Sequence, residues 1–460
     1  MGVPEHLLAA LPAPCINVME THISWVLMTR EHAFKVKKPV TLPFLDYSTI
    51  ELRRACCDAE LRLNRRFAPT LYLDVVDLAG EPAVKMRRFA EEFRLDHVSS
   101  HGDLTGAHLT QLARDLAAFQ AAAAIAPATF GTPGIIRADA LENCDELDRL
   151  LPDEAPLLAR LREWTESEWQ RRAPDFARRH TAGKVREGHG DLHLANLVLL
   201  EGRVVPFDGI EFSEDFRCID VANEIAFTLL DLLDHQRPGL ASWLLDAWLT
   251  WSGDFDALSV LRFYLVYRAL VRAKVAALRD DTQEAAGYLA LAARLIRPSA
   301  PGLTITCGPS GCGKTHASNR RLASVDFLHT VRLRSDVERK RLAGLAPDAA
   351  SGGTIYTTEA TEQTYTRLGE LAEAALCAGW SVIVDAAFLR RTERVACHDR
   401  ATRLGLPFAI LAPVATPEVM AERIATRKND ASEATVGVLQ QQLQWFEPPT
   451  GDEQALLVQQ

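Results

Sequence analysis

The strongest constraint on the fold is a glycine-rich loop between a strand-like run and a helix-like run. The loop fits the pattern G-x-x-x-x-G-K-[ST] and consists of Gly308, Pro309, Ser310, Gly311, Cys312, Gly313, Lys314 and Thr315. The apolar run 303–307 is typical of a buried strand, and 316–323 is typical of a helix. In that context the glycines let backbone N–H groups wrap a phosphate chain at a positive helix end. The loop therefore predicts a nucleotide site in which Lys314 reaches the β- and γ-phosphates and Thr315 binds Mg²⁺.

Length and charge narrow the class of protein. With 460 residues the chain exceeds one ordinary core, so two or three domains are expected. The net charge of −10 argues against a general binder of nucleic acid or membrane surfaces. No apolar run reaches the roughly eighteen residues of a membrane helix, and no secretory signal is visible. The nine cysteines show no C-x-x-C spacing, which favours a reducing, cytoplasmic location.

The pattern of predicted strands and helices changes along the chain and divides it into domains. The proline- and glycine-containing stretch 297–302 predicts a boundary between a domain at 1–297 and a domain at 298–460. Up to about residue 90, strand-like runs mix with a helix near 50–66, and from 91 to 297 helical periodicity dominates. After the boundary strands alternate with helices. The predicted fold is an α+β bilobed kinase-like domain followed by an α/β P-loop domain with a parallel sheet.

A second motif lies at His189-Gly-Asp-Leu-His-Leu-Ala-Asn196. Asp191 and Asn196 are five residues apart, and Asp208 follows the strand-like run 203–207. Phosphoryl transfer to a hydroxyl needs a carboxylate that orients and deprotonates the nucleophile. Oxygen atoms of Asn196 and Asp208 suit Mg²⁺. The alternative is a turn, because Gly, Asp, His and Asn are frequent turn residues.

This motif resembles the aminoglycoside/choline phosphotransferase group of kinase-like enzymes. The resemblance implies that Asp191 is the catalytic base and that Asn196 and Asp208 bind Mg²⁺. Asp220 matches the group's structural aspartate beneath the catalytic loop. A helix N-cap explains Asp220 equally well.

The small lobe is expected to supply a lysine for the nucleotide phosphates and a glutamate that holds it. Lys35 and Lys37 alternate on one strand and therefore share a face. The resemblance favours Lys35 and leaves Lys37 open, with Glu60 of the helix 51–66 as the partner. No glycine occurs between Gly2 and Gly80, so a glycine-rich flap is absent, and the hydroxyls of 20–24 are the alternative cover.

The second half offers further candidates near the phosphate loop. The apolar run 381–384 ends in Asp385, the expected second Mg²⁺ element. A strand predicted to end at Asp336 presents a carboxylate that can accept a hydroxyl proton, although helix capping explains it as well. Arg423 and Arg427 are four residues apart and predict a lid that brings cations to the transferring phosphate. The run 428–430 follows them, and a solvated basic helix is the alternative.

Residues 302–446 resemble P-loop kinases of the polynucleotide-kinase and gluconate-kinase type. In the polynucleotide kinases an Asp after the second strand is the base, which implies that role for Asp336. The order of the two halves resembles a bacterial fusion family that joins an aminoglycoside-phosphotransferase-like domain to a P-loop ATP-binding domain.

Together these patterns predict a bifunctional kinase that uses ATP and Mg²⁺ to phosphorylate a hydroxyl of an unidentified small molecule. One alternative is a 5′-hydroxyl polynucleotide kinase in the second half, supported by the basic run 332–341. Nucleic acid is expected only in that role, and no membrane partner is expected. Another alternative is an ATP-sensing regulator whose first half is non-catalytic. No motif identifies the acceptor.

Overall fold

The computed structural model describes residues 2–42, 45–298, 300–427 and 431–458. By packing, the chain divides into two compact units. The first unit comprises Met1–His235 and Phe263–Leu289, and the second comprises Gln236–Arg262 and Ala290–Gln460. The segment 236–262 thus packs with the second unit although it precedes the predicted linker. The predicted division of the sequence at 297/298 stays a prediction.

The first stretch of the chain contains most of the strands. They are β1 (Asn17–Glu20), β2 (Ser24–Met28), β3 (His32–Lys37), β4 (Thr41–Leu42), β5 (Leu45–Asp46), β6 (Tyr72–Leu78), β7 (Glu81–Arg87), β8 (Val185–Glu187), β9 (Leu197–Leu200), β10 (Arg203–Pro206) and β11 (Cys218–Asp220). The helices of the same stretch are α1 (Glu5–Ala9), α2 (Ile50–Asn64), α3 (Leu95–His101), α4 (Gly106–Ala122), α5 (Pro133–Leu150), α6 (Ala155–Thr181), α7 (Glu214–Arg217) and α8 (Val221–Asp234).

The rest of the chain is α/β. Its helices are α9 (Pro238–Ser252), α10 (Leu258–Leu278), α11 (Thr282–Leu295), α12 (Lys314–Ala323), α13 (Ser335–Leu342), α14 (Thr358–Cys377), α15 (Arg391–Arg403), α16 (Pro417–Thr426) and α17 (Val436–Trp445). Its strands are β12 (Leu303–Thr306), β13 (Thr330–Arg334), β14 (Ser381–Asp385) and β15 (Phe408–Leu411). Short 3-10 helices span Glu91–Phe93, Pro152–Glu154, Leu194–Asn196, Phe255–Ala257 and Gly451–Leu456.

A five-stranded antiparallel sheet in the order β1-β2-β3-β7-β6 forms the β-rich lobe of the first unit. Successive residues of β3 point to opposite faces. Phe34 and Val36 therefore join an apolar cluster on one face. Lys35 and Lys37 point to the other face and contact Glu60 of α2.

The helix α2 begins at its N-cap Thr49, whose side chain accepts a hydrogen bond from the N–H of Leu52. Its buried residues recur at three- and four-residue spacing and include Cys57, Glu60 and Asn64. Cys57 packs with residues of β6 and β7, so α2 covers the sheet. This packing directs Glu60 towards β3.

The second unit contains a parallel four-stranded sheet in the order β13-β14-β12-β15. From β12 the chain passes to β13 on one side, and from β14 it passes to β15 on the other. Ligands of open α/β sheets bind beyond the carboxyl ends of the strands at such a reversal. The phosphate loop follows β12 and lies at this point.

The predicted fold class is confirmed, because a β-rich lobe with a helical lobe precedes a parallel α/β sheet. Among the helices of the described residues, none has the length and apolar character needed to cross a membrane.

Candidate functional site

The loop between β8 and β9 carries Asp191, and internal hydrogen bonds define its path. Nδ1 of His189 accepts from the N–H of Asp191 at 3.3 Å, and Nε2 donates to the carbonyl of Phe207 at 2.9 Å. These roles require the neutral ring, and burial lowers the pKa of His189 accordingly. Gly190 has φ +87°, and a Cβ there would lie 2.7 Å from the carbonyl oxygen of Phe216. Only glycine fits this turn without strain.

Asn196 and His193 both contact the Asp191 carboxylate. Nδ2 of Asn196 donates to Oδ2 of Asp191 at 2.9 Å and to its carbonyl at 3.0 Å. Nε2 of His193 lies 3.3 Å from the same Oδ2. Burial favours the neutral carboxyl, but His193 outweighs burial and holds the pKa of Asp191 well below its usual value. The carboxylate is therefore ionised at neutral pH, and the carbonyl oxygen of the Asn196 carboxamide is available as a ligand.

Side chains of the helix α8 form hydrogen bonds with the backbone of this loop. Oδ2 of Asp231 accepts from the N–H of Leu194 at 2.8 Å. The hydroxyl of Thr228 donates to the carbonyl of Leu192 at 2.6 Å. Because α8 is buried almost throughout, it holds the loop on a rigid base.

Both lysines of β3 contact Glu60, but their surroundings differ. Lys35 Nζ lies 3.0 Å from Oε1 of Glu60 and also contacts Asp208. Lys37 contacts Oε2 of Glu60 and Glu211, and the Lys37 side chain is fully buried. The Lys35 side chain is 12% exposed. Lys35 is therefore the better placed of the two to reach a ligand, and its assignment to the nucleotide stays a prediction.

Asp208 joins these groups to Asp191. Its backbone has φ +62°, and its N–H donates to the hydroxyl of Tyr72 at 2.9 Å. Burial raises the pKa of Asp208, and the neighbouring Lys35 overcomes this and lowers it. The N–H of Phe207, the residue before Asp208, donates to the carbonyl of Asn196 at 3.0 Å, so Asp208 lies beside the loop that carries Asp191. Asp191 acts against Lys35 and raises the pKa of Asp208. The structure thus brings together the residues that we call the front site, namely Lys35, Glu60, Asp191, Asn196 and Asp208.

Asp220 and the segment 20–24, both singled out in the sequence, make hydrogen bonds within the first unit. Asp220 accepts from Nε and Nη2 of Arg179, each at 2.8 Å, and from the N–H of Ala222 at 2.8 Å. Asp220 is therefore both a buried ion-pair partner and the N-cap of α8. The segment 20–24 forms the β1–β2 turn, in which the Thr21 hydroxyl accepts from the N–H of Ser24 at 2.9 Å. Its role as a phosphate cover stays a prediction.

The phosphate loop has the backbone that its glycines predict. Gly308, Gly311 and Gly313 have φ values of +135°, +81° and +111°. A Cβ on Gly311 would lie 2.5 Å from the carbonyl oxygen of Met420, so no side chain fits there. Nζ of Lys314 donates to the carbonyls of Gly308 and Pro309, each at 2.8 Å. The residues fit a phosphate group, because the loop presents N–H groups at the start of α12.

Two helices hold the phosphate loop. Nη1 of Arg423 in α16 donates to the carbonyls of Gly311 at 3.2 Å and Cys312 at 3.4 Å. Oε1 of Gln442 in α17 accepts from the N–H of Ser310 at 2.7 Å. Gln442 was not predicted as a contact of the phosphate loop, because it is one of three adjacent glutamines without a local signal.

Of the two arginines predicted to form a lid, Arg423 contacts the phosphate loop. Nη1 of Arg427 lies 3.4 Å from the carbonyl of Ser432. The run 428–430 lies outside the described residues. The function of both arginines as a lid stays a prediction.

Asp385 ends β14 beside the helix that follows the phosphate loop. Oγ of Ser318 donates to Oδ2 of Asp385 at 3.2 Å and lies 3.1 Å from the carbonyl of Thr315. Nη1 of Arg332 and Nε of Arg334 lie 3.9 and 4.0 Å from the same Oδ2. We call the phosphate loop together with Asp385 the rear site.

The expected position of Asp336 is corrected in one detail. The strand β13 ends at Arg334, and Asp336 lies in the first turn of α13. The N-cap of α13 is Arg334 and makes no side-chain capping bond, so Ser335 and Asp336 do not cap it. Burial, followed by the charge of Asp336, raises the pKa of Tyr356 to about 12. The role of Asp336 as a base stays a prediction.

The basic run 332–341 is largely engaged within the second unit. Arg332 pairs with Asp246, and both side chains are buried. Nη1 of Arg339 donates to the hydroxyl of Thr361 at 3.0 Å. Nζ of Lys340 lies 3.2 Å from Glu433. These cations therefore serve internal contacts.

Known proteins are similar to this chain in sequence or in structure. Residues 303–449 match the family described as AAA domain, which confirms the predicted P-loop domain. An uncharacterized protein of Mycobacterium tuberculosis and one of Mycobacterium bovis are each 28% identical to this chain over 447 residues, covering 92% of this chain and 89% of the relative. The solved GDP complex of aminoglycoside 2'-phosphotransferase-IIIa has a TM-score of 0.41 at 12% identity, covering 62% of this chain and 94% of that chain. Choline kinase from Cryptosporidium parvum has a TM-score of 0.38 at 10% identity, covering 61% of this chain and 88% of that chain.

Proposed function

We propose that the protein is a bifunctional phosphotransferase that uses ATP and Mg²⁺ at two separate sites. The observation that carries the front-site assignment is that Asn196 bonds to Asp191 and that Phe207, next to Asp208, bonds to the backbone of Asn196. Transfer of a γ-phosphoryl group requires oxygen ligands for the metal, a carboxylate for the acceptor hydroxyl and a cation for the phosphates. Asp191, Asn196 and Asp208, together with Lys35 and Glu60, supply those groups.

In the front site Asp191 orients the acceptor hydroxyl and accepts its proton as the new O–P bond forms and ADP leaves. Its contacts with Asn196 and His193 hold the carboxylate in one orientation. Mg²⁺, when bound, neutralises phosphate charge, and Asn196 and Asp208 are the residues that hold it. Lys35 binds the phosphates and Glu60 positions Lys35. A base with a low pKa acts mainly by positioning and charge stabilisation.

In the rear site the phosphate loop binds a second nucleotide through its N–H groups and Lys314. Thr315 and Asp385 would hold Mg²⁺, and Asp336 accepts the proton of a second hydroxyl as that oxygen bonds to the γ-phosphorus and ADP leaves. Because the basic run 332–341 makes internal contacts, it does not favour a polynucleotide as that acceptor. The front-site carboxylates support chemistry in the first half rather than a purely regulatory role.

A screen of hydroxyl compounds for an ATP-dependent mass gain of one phosphate tests the proposal. Asp191→Asn is expected to abolish front-site transfer, whereas Asp103→Asn, an exposed aspartate of the same unit, leaves it unchanged. Lys314→Ala is expected to abolish rear-site nucleotide binding, whereas Arg320→Ala on the exposed side of α12 retains it. Each variant should lose the ATP turnover of one site, so turnover that is unchanged from wild type in Asp191→Asn and in Lys314→Ala contradicts the proposal.

A further inference from the structure

The second unit contains a segment, 236–262, that stands before the predicted linker in the sequence. Its helix α9 comes into backbone contact with α12, since a Cβ on Gly239 would lie 2.3 Å from the carbonyl oxygen of Ala323. Nε1 of Trp380 donates to the carbonyl of Leu258 at 2.9 Å. The segment is therefore an integral part of the unit that holds the phosphate loop.

Asp246 of α9 makes a buried two-point contact with Arg332 of β13. Oδ1 accepts from Nε at 3.2 Å and Oδ2 accepts from Nη2 at 2.7 Å. The Arg332 and Asp246 side chains are only 5% and 7% exposed. A paired, parallel contact of this kind fixes the orientation of the guanidinium.

The third nitrogen of the same guanidinium faces the rear site. Nη1 of Arg332 donates to Oγ of Ser318 at 3.2 Å and to Oδ1 of Asn319. It lies 3.9 Å from Oδ2 of Asp385, and Arg334 approaches that oxygen to 4.0 Å. One buried cation therefore has two carboxylates within reach, and the geometry shows the closer contact with Asp246.

We propose that Asp246 is a positioning residue of the rear site, which holds the charge of Arg332 so that Asp385 keeps its carboxylate for a divalent cation. This inference rests on the proposed function of the rear site. Without the Asp246 charge, Arg332 turns to Asp385, whose carboxylate lies 3.9 Å away, and an arginine salt bridge competes with metal binding. The helix α9, which precedes the predicted linker in the sequence, thus controls the affinity of the rear site for metal.

The test uses the full chain and compares ADP binding in EDTA with ADP binding in MgCl₂. Rear-site binding is the part that Lys314→Ala removes. Asp246→Asn retains the shape of the side chain and removes its charge. We expect ADP affinity in EDTA to stay unchanged, while the gain in affinity caused by Mg²⁺ falls by about tenfold or more. Titration with Mn²⁺, followed by its EPR signal, reports the same loss directly as weaker metal binding.

Two further variants serve as a control and as a test of the competing cation. Asp256→Asn, an exposed aspartate of the same segment, is expected to retain the full effect of Mg²⁺. The double variant Asp246→Asn/Arg332→Gln removes the competing cation together with its partner, so the effect of Mg²⁺ is expected to return. Because the double variant leaves neither member of the pair as an unpaired buried charge, it reports on the inference even if Asp246→Asn folds poorly.

Three outcomes overturn the inference: a wild-type Mg²⁺ effect in Asp246→Asn, an equal loss of ADP affinity with and without Mg²⁺, or a folded double variant without the Mg²⁺ effect. The melting temperature of each variant distinguishes a loss of stability from a loss of metal affinity. If the wild-type chain shows no Mg²⁺-dependent binding that Lys314→Ala removes, the proposed function of the rear site fails instead.

Discussion

Replacing Lys37 by methionine separates the roles of the two lysines on β3. The Lys37 and Glu60 side chains are fully buried, and the Glu211 side chain is 4% exposed. The variant removes the ammonium that lies between two buried carboxylates. Glu60 keeps its contact with Lys35, whereas Glu211 loses this cation and keeps the bond to the Tyr47 hydroxyl at 2.8 Å. Removing one partner of a buried ion pair costs about 3–5 kcal/mol. Because a domain has a total stability of about 5–15 kcal/mol, we expect a loss of about a fifth or more of that stability.

Lys35→Met is the matched control, since it removes a lysine from the same strand and the same face. Glu60 keeps its contact with Lys37 in this variant. The Asp208 side chain is 43% exposed and regains water when Lys35 is removed. We therefore expect a stability loss of about 1 kcal/mol or less. ATP binding at the front site is expected to disappear, because the ammonium that reaches the phosphates is gone.

Urea unfolding followed by tryptophan fluorescence measures the first effect, and titration with a fluorescent ATP analogue in the Lys314→Ala background measures the second. The slope of the unfolding transition should be unchanged, so that a shifted midpoint reports stability. The reasoning is refuted if Lys37→Met unfolds at the wild-type urea concentration. It is also refuted if Lys37→Met loses front-site ATP binding while Lys35→Met retains it.

Three further predictions concern other contacts. Asp220→Asn removes a buried charge that pairs with Arg179 and is expected to lower the free energy of unfolding by about 3–5 kcal/mol, measured by urea titration; a loss below about 1 kcal/mol contradicts a structural role. Gly311→Ala forces a Cβ against the backbone of α16 and is expected to abolish rear-site nucleotide binding in calorimetry, with front-site binding as the internal control. Burial disfavours the His193 imidazolium, but Asp191 raises the pKa of His193 above its unfolded value of about 6.5. The stabilisation from this pair is therefore fully present below about pH 6.5 and is lost as the pH rises through the folded pKa, so the stability difference between wild type and His193→Asn should shrink with rising pH. A difference that is constant from about pH 6 to pH 9 contradicts this assignment.

Short-range patterns made the main candidates predictable. The phosphate loop was recognisable because its glycines adopt φ values that other residues avoid, at a spacing set by the phosphate chain. Lys35 and Lys37 were assigned to one face because side chains alternate along a strand. Asp191 and Asn196 belong to the same loop, so their spacing already indicated that they meet.

Other parts of the sites were not predictable, because they depend on residues distant in sequence. Glu211 contacts Lys37 across 174 positions, and Gln442 contacts Ser310 across 132. Neither residue belongs to a local motif. The basic run 332–341 supported the polynucleotide-kinase alternative in the sequence, because its internal carboxylate partners, such as Asp246 and Glu433, lie far away in the chain.

The sequence by itself determined the order of the elements, the phosphate loop and the chemical types available at each site, because backbone preference and side-chain periodicity act over a few residues. Only the tertiary structure decided which lysine of β3 is shielded from solvent and which carboxylate Arg332 pairs with. Those choices depend on distances of a few ångströms between elements far apart in the chain. A buried charge takes the partner that packing places nearest, and no local pattern encodes that distance.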